Sequence, residues 1–298
     1  MPKIRIAALD LDGTLLSHEN TITPRTRQAI ADAAGRGVIV LPCTGRPLAS
    51  LPPLVAQLPG IRYAITSNGA AVWDMGTDPL GAVYSRYSDA TQRSTHEPVL
   101  LERHCLPPET AREVFALYRE YHGPLSIFSD GRSYLDGAGM ALFQDRHIQR
   151  HSTEARQPDD GRTHVVRDLD EWMSRHAHEV EKFCMFFDSI EIAQAALVRF
   201  RAFPGIEVVQ GAPDNVEVTA AGVDKGTALL ALADWLGIPR EATLAIGDSD
   251  NDRAMLARAG VAAVMANALP EIRALGDIVS TCDNDHDGVA ELFERLGL

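Results

Sequence analysis

Ile4-Arg5-Ile6-Ala7-Ala8-Leu9-Asp10-Leu11-Asp12-Gly13-Thr14 opens the chain with an apolar run that ends on two carboxylates. A short apolar run closed by a turn signal reads as a buried strand. Residues spaced by two in a strand point to one side, so Asp10 and Asp12 leave its end together. Like charges that close repel unless a cation or a shared proton neutralises them. The pairing suits a nucleophile beside a general acid/base, with a hard divalent metal between them. Taken alone, the stretch also fits a plain strand-to-helix turn that Asp10 and Asp12 cap and Gly13 closes.

Three later segments fall in the order and context this chemistry requires. Val38-Ile39-Val40-Leu41 runs into Pro42-Cys43-Thr44-Gly45-Arg46, a second strand ending in a hydroxyl and a backbone turn. Asp224-Lys225-Gly226-Thr227 opens a helical pattern that continues to Leu236, and Thr243-Leu244-Ala245-Ile246 leads into Gly247-Asp248-Ser249-Asp250-Asn251-Asp252. Each candidate lies at a strand end or a helix start. The crevice at the carboxyl ends of an open parallel sheet is where such sequence-distant residues converge.

Together these four segments resemble the motifs of the haloacid dehalogenase-like (HAD) phosphohydrolases. Ser67-Asn68-Gly69-Ala70, Gly222-Val-Asp-Lys-Gly226, Ala266-Asn267-Ala268 and Asp287-Gly288-Val289 are similar to the Cof-type branch (subfamily IIB). The resemblance covers essentially the whole chain, the middle third only in length and in its rhythm of strands and helices. It implies an α/β fold, a Rossmann-like doubly wound parallel sheet carrying an inserted α+β cap. It also implies a magnesium-dependent phosphatase acting on a small phosphorylated metabolite through an aspartyl-phosphate.

Carried over residue by residue, the resemblance makes Asp10 the nucleophile and Asp12 the acid that protonates the leaving oxygen and then activates water. Thr44 and Lys225 grip the transferring phosphoryl oxygens. Substrate-binding residues are Thr44, Gly45, Arg46, Asn68, Lys225 and Asn251. Magnesium is held by the Asp10 carboxylate, the Asp12 main-chain carbonyl and Asp248, with Asn251 and Asp252 behind them or, for Asn251, on the metal itself. Plainer readings stay open for several members. Arg46 forks onto a substrate phosphate or pairs with a core acid, Asn68 and Asn267 fit simple turns, and Asp250 reads as a solvated carboxylate at a helix start. Lys225 sits in a first helical turn, against the dipole, which favours the functional reading. His147, His151, His164, His176 and His178 show no metal-ligand spacing and read as surface residues. A phosphomutase with the same core motifs, and a catalytically idle sugar-phosphate binder, are the competing functions; Asp12 argues against the second.

The 298 residues suit a core with an insertion, and 45% hydrophobic with 23% charged residues is ordinary for a globular protein. With 41 acidic residues against 28 basic ones, the net charge of −13 disfavours nucleic acid and anionic membrane surfaces as partners. Cys43, Cys105, Cys184 and Cys282 form no CxxC pair, the aspartates at 10 and 12 interrupt any leader-like run, and no stretch is long enough to span a membrane. These features predict a cytoplasmic protein, a monomer or a homodimer.

The pattern places the core at residues 1–82 and 212–298 and the cap at 83–211. Within the core it predicts a helix that Thr23 caps and Pro24 opens, a helical stretch from Pro47 to Leu58, a strand over Tyr63–Thr66 and, after Pro213, a core strand over Val216–Thr219. Within the cap it predicts a helix over Pro107–Tyr121, a hairpin turning at Asp130-Gly131, a strand over Lys182–Phe187, a helix over Ile190–Phe203, and a strand over Ile206–Gln210. Residues 149–164 read as a loop.

Overall fold

A computed structural model describes residues 3–81, 97–149 and 163–298. The strands in chain order are β1 (Ile6–Leu9), β2 (Ile39–Pro42), β3 (Tyr63–Thr66), β4 (Ala71–Asp74), β5 (Val99–Arg103), β6 (Leu125–Ser129) and β7 (Arg132–Asp136). They continue with β8 (Thr163–Val166), β9 (Lys182–Phe186), β10 (Ile206–Val209), β11 (Asn215–Ala220), β12 (Thr243–Gly247), β13 (Val261–Val264) and β14 (Ile278–Val279).

The core is a five-stranded parallel sheet in the order β14-β13-β12-β1-β2. Its strands are near-continuous apolar runs because both faces are covered. Ala7 and Leu9 face one hydrophobic cluster with Val40, Ile246 and Phe293, while Ile6 and Ala8 face another with Leu41, Leu229 and Met255. The register sets Leu9 opposite Ile246 on one side and Pro42 on the other. The residues that follow these strands therefore emerge at one level, and that level is the crevice. A bridge between Cys43 and Ile65 carries the sheet on to β3, from which β4 and β5 continue antiparallel.

Helices cover the sheet where the sequence signals start them. Thr23 caps Pro24–Gly35 by accepting the Thr26 N–H, and Asp224 caps Lys225–Trp235 by accepting the Thr227 N–H. The helical stretch expected over Pro47–Leu58 is instead two short turns, Leu48–Ser50 and Pro53–Ala56. Pro52 and Pro53 remove two amide donors from its middle.

The insertion builds a six-stranded sheet in the order β10-β11-β9-β6-β7-β8. The strict alternation of its central strands separates two faces. Ile127, Phe183, Met185, Val216 and Val218 pack with Tyr118 and Phe200 of the helices Pro108–Tyr118 and Ile190–Arg201. Ser126, Phe128, Lys182, Cys184, Asn215 and Glu217 face the core crevice. The β6–β7 hairpin turns at Asp130 and Gly131, at φ of 48° and 70°.

One expectation is corrected here. Val216–Thr219 is not a core strand: β11 pairs antiparallel with β9, Glu217 opposite Cys184, so the chain returns to the core only after Ala220. Its polar-apolar alternation sets an apolar face against the helices and a polar face toward the crevice, both buried, and a strand of the core sheet lacks that alternation. Conversely, β5 lies within residues 83–211 yet pairs with β4 beside the core. The expected boundary at residue 83, the loop over 149–164 up to residue 162, and the side chains of His147 and His151 lie outside the described residues. Among the described residues no helix is long and apolar enough to cross a membrane.

Candidate active site

Asp10 follows β1 and is 3% exposed. Lys225, in the first turn of its helix, is fully buried, and its Nζ donates to Asp10 Oδ1 at 2.5 Å and to Asp252 Oδ1 at 2.7 Å. Asp252 Oδ2 accepts the N–H groups of Asp248 and Ser249 at 2.9 and 3.0 Å, which fixes the turn after β12. Asp248 Oδ1 accepts the Thr14 hydroxyl at 2.7 Å. Gly13 has φ +83°, and a Cβ there would lie 2.5 Å from Asp248 Oδ2. Only glycine lets the Asp12–Thr14 loop lie against that carboxylate. Asn267, which the sequence left open as a plain turn, donates from Nδ2 to the Gly13 carbonyl at 2.8 Å and holds the same loop.

Asp10, Asp248 and Asp252 each offer an oxygen within 4.8 Å of the others. Burial, then the neighbouring Asp252, lifts the Asp10 carboxyl well above its ordinary range against the pull of Lys225. Burial and Asp252 push Asp248 up to about 7. Burial alone would lower the Lys225 ammonium, but Asp10 and Asp252 outweigh it and raise its pKa. Three carboxylates, two of them buried, against one ammonium leave an excess of negative charge that a cation relieves. An all-oxygen donor set of this kind, without thiolate or imidazole, fits a hard divalent ion such as magnesium. Asp252 belongs to the cluster, yet both its oxygens are already engaged, so it orients Lys225 and the Asp248 turn.

Beside this cluster, Arg46 forks onto Asp12 through Nε at 2.9 Å and Nη2 at 2.6 Å. Of the two readings left open by the sequence, the structure displays the pairing with a core acid. Thr44 is buried, and its hydroxyl accepts the Arg46 N–H at 3.1 Å. Asn68 donates to Glu217 Oε2 at 2.6 Å, and Asn251 Nδ2 approaches Asn68 Oδ1 at 3.5 Å while its own Oδ1 accepts the Ser249 hydroxyl. Asp250 pairs with Arg201 and Arg253, away from the carboxylate cluster.

The insertion closes the crevice into a cleft of about 340 Å³, lined on the core side by Asp10, Asp12, Arg46 and Asn251 and on the other by Phe128, Phe143, Phe186 and Lys182. Lys182 is 1% exposed and donates to Glu217 Oε2 at 2.8 Å and to the Gly45 carbonyl at 2.6 Å. Lys182, Asn215 and Glu217 were not anticipated as site residues. Their signal was present as charged and amide side chains inside short strands of alternating polarity, positions that are seldom fully buried without a partner.

A buried carboxylate anchored on one oxygen, a second carboxylate forked by arginine, a buried ammonium and a hard-cation cluster at the floor of a small cleft can attack and stabilise a phosphoryl group. The comparisons point the same way. The family model for haloacid dehalogenase-like hydrolases matches residues 7–87 and 91–293. The chain is 27% identical to the 5-amino-6-(5-phospho-D-ribitylamino)uracil phosphatase YcsE of Bacillus subtilis, over 98% of this chain and 95% of that one. It is 28% identical to the HMP-PP phosphatase of Cronobacter sakazakii, over 91% of this chain and 87% of the relative. Its fold is that of a haloacid dehalogenase-like hydrolase from B. subtilis, with a TM-score of 0.78 at 24% identity, covering 98% of this chain and 100% of the other.

Proposed function

The chain belongs to the haloacid dehalogenase-like hydrolases, and from that membership we propose that it is a magnesium-dependent phosphatase of a small phosphorylated metabolite, working through an aspartyl-phosphate on Asp10. The observation that carries this reading is the buried Asp10–Lys225 contact at 2.5 Å at the floor of the cleft. Lys225 fixes one Asp10 oxygen, and the other attacks phosphorus in line, so a P–O bond to Asp10 forms as the bond to the leaving oxygen breaks. Asp12 gives that oxygen its proton and later takes one from the water that cleaves the aspartyl-phosphate, so its protonation is restored after each turnover. Both Asp12 oxygens accept from Arg46, so the acid step needs the fork to open. The arriving phosphate offers Arg46 an alternative bidentate partner. The Thr44 hydroxyl and Lys225 donate to the transferring oxygens. Asp10 and Asp248, with the Asp12 carbonyl, would hold magnesium, which when bound screens the approach of a dianion to a carboxylate.

The relatives are named for a ribitylaminouracil phosphate and for HMP-PP, and a cleft of about 340 Å³ suits a leaving group of that size. The test is phosphate release from an aryl phosphate and from a panel of phosphorylated metabolites. Activity that vanishes in Asp10→Asn and in excess chelator supports the reading. Full activity in either condition refutes it.

A further inference from the structure

Ser67, Asn68 and Gly69, the turn after β3, have φ of 53°, 55° and 97° in succession, and Ser67 and Asn68 are buried. Non-glycine residues seldom adopt this region, and two in a row, Ser67 and Asn68, persist only where the surroundings dictate them. The surroundings here come from two directions. On the core side, the Ser67 N–H donates to the Arg46 carbonyl at 3.0 Å and the Asn68 N–H to the Thr44 carbonyl at 3.1 Å. A Cβ on Gly69 would lie 2.3 Å from the Asp224 carbonyl and 3.1 Å from the Lys225 nitrogen. On the other side, the Ser67 hydroxyl donates to Glu181 Oε2 at 3.2 Å and the Asn68 amide to Glu217 Oε2 at 2.6 Å, both acids belonging to the insertion. Lys182 ties the same Glu217 oxygen to the Gly45 carbonyl.

The acceptors of Glu217 are occupied. Oε2 takes Lys182 and Asn68, and Oε1 takes Asn215 at 3.1 Å. A carboxylate so engaged is poorly placed to read a substrate hydroxyl, although it lines the cleft. What it holds instead is the loop bearing Thr44, Gly45 and Arg46.

Resting on the phosphatase reading above, we propose that Glu217 and Lys182 are positioning residues, Glu217 acting through Asn68 and Lys182 through the Gly45 carbonyl: docking of the insertion's sheet sets the Thr44–Arg46 loop in register with Asp10. The phosphoryl-gripping groups are then aligned only when the insertion is seated, whatever alcohol the substrate carries. Misplacement of reacting groups by about 1 Å costs roughly a hundredfold in rate, so loss of this tie is expected to lower kcat by about 10- to 100-fold.

The experiment measures kcat and KM on p-nitrophenyl phosphate and on glycerol 2-phosphate for the full chain and for Glu217→Ala, Glu217→Gln and Asn68→Gly. Glycine suits φ +55°, so Asn68→Gly removes the amide without backbone strain and carries the test should Glu217→Ala not fold. The expected result is a fall in kcat by the same factor, within about threefold, on both substrates, with Glu217→Gln retaining more activity than Glu217→Ala because one acceptor oxygen remains. A folded Asn68→Gly or Glu217→Ala with kcat within threefold of the parent overturns the proposal. So does a loss on one substrate ten times that on the other, which would make Glu217 a leaving-group contact. A parent chain that releases phosphate from neither these two compounds nor the metabolite panel refutes the phosphatase reading, and the proposal with it.

Discussion

Replacing Lys225 with methionine keeps the length of the side chain and removes the one ammonium between Asp10 and Asp252. Each contact, at 2.5 and 2.7 Å, carries about 6 kcal/mol of gross attraction at an effective dielectric of about 20. Most of that is offset by the desolvation of three buried charges, and removing one partner of such a group costs about 3–5 kcal/mol net. At about 2–4 °C per kcal/mol, the midpoint of thermal unfolding in metal-free buffer should fall by about 6–20 °C. The same change deepens the negative charge around Asp10, Asp248 and Asp252, so magnesium should raise the midpoint of Lys225→Met more than that of the parent. Phosphate release should fall by about 100-fold or more, as for loss of a preorganised electrostatic donor. Thermal scans with and without magnesium chloride, beside an aryl phosphate assay, read all three. A variant within 1 °C of the parent without metal, or one that gains no more from magnesium, would show that Lys225 does not balance these carboxylates.

Asp248→Ala should weaken magnesium binding at least tenfold more than Asp250→Ala, because Asp250 is held by Arg201 and Arg253 outside the cluster; equal titrations of the two variants count against the assignment. Gly13→Ala puts a Cβ 2.5 Å from Asp248 Oδ2 at φ +83°. It should lower stability by at least about 1 kcal/mol and magnesium affinity by about tenfold or more, read by urea unfolding and metal titration. Glu291 offers a pH signature far from the site. Burial raises its carboxyl, but the Cys282 N–H, Arg295 and the Thr281 N–H outweigh it and bring it from 4.5 to about 2. Its contribution is therefore complete above the ordinary value and lost as the pH falls through the depressed one. The urea midpoint of Glu291→Gln should lie below the parent's at pH 7 and converge with it between about pH 4.5 and 2; a constant gap would contradict this.

The core was readable because buried parallel strands are unbroken apolar runs, and because Gly13, Gly45 and Gly247 mark where those runs turn into the crevice. The convergence of Asp10 and Lys225 on one crevice followed from motif order, with Lys225 read as a partner of the phosphoryl oxygens and not of Asp10 itself. Three features lay beyond local pattern. Val216–Thr219 was assigned to the core because Pro213 marked a return, although the alternation of Asn215, Val216, Glu217 and Val218 already described a strand with one polar and one apolar face. The partner of Arg46 depended on which acid the folded loop brings near. Lys182 and Glu217 gained their roles only from facing Gly45 and Asn68 across the cleft, a contact between residues more than a hundred positions apart.

The place of β1 in the sheet has a consequence for how the protein is made. β1 ends at Leu9, and one of its two neighbours, β12, ends at Gly247. At about 5–20 residues per second, a ribosome completes that neighbour roughly 10–50 s after β1 emerges. During that interval β1 can pair with β2 alone, and its other edge, fully apolar, stays open to association with foreign strands. The insertion's sheet is complete once Ala220 has been made, so it can fold ahead of the domain that hosts it. The nascent chain thus carries a finished cover over an unfinished floor, and Asp10 meets Asp248 and Asp252 only when the last fifth of the polypeptide arrives.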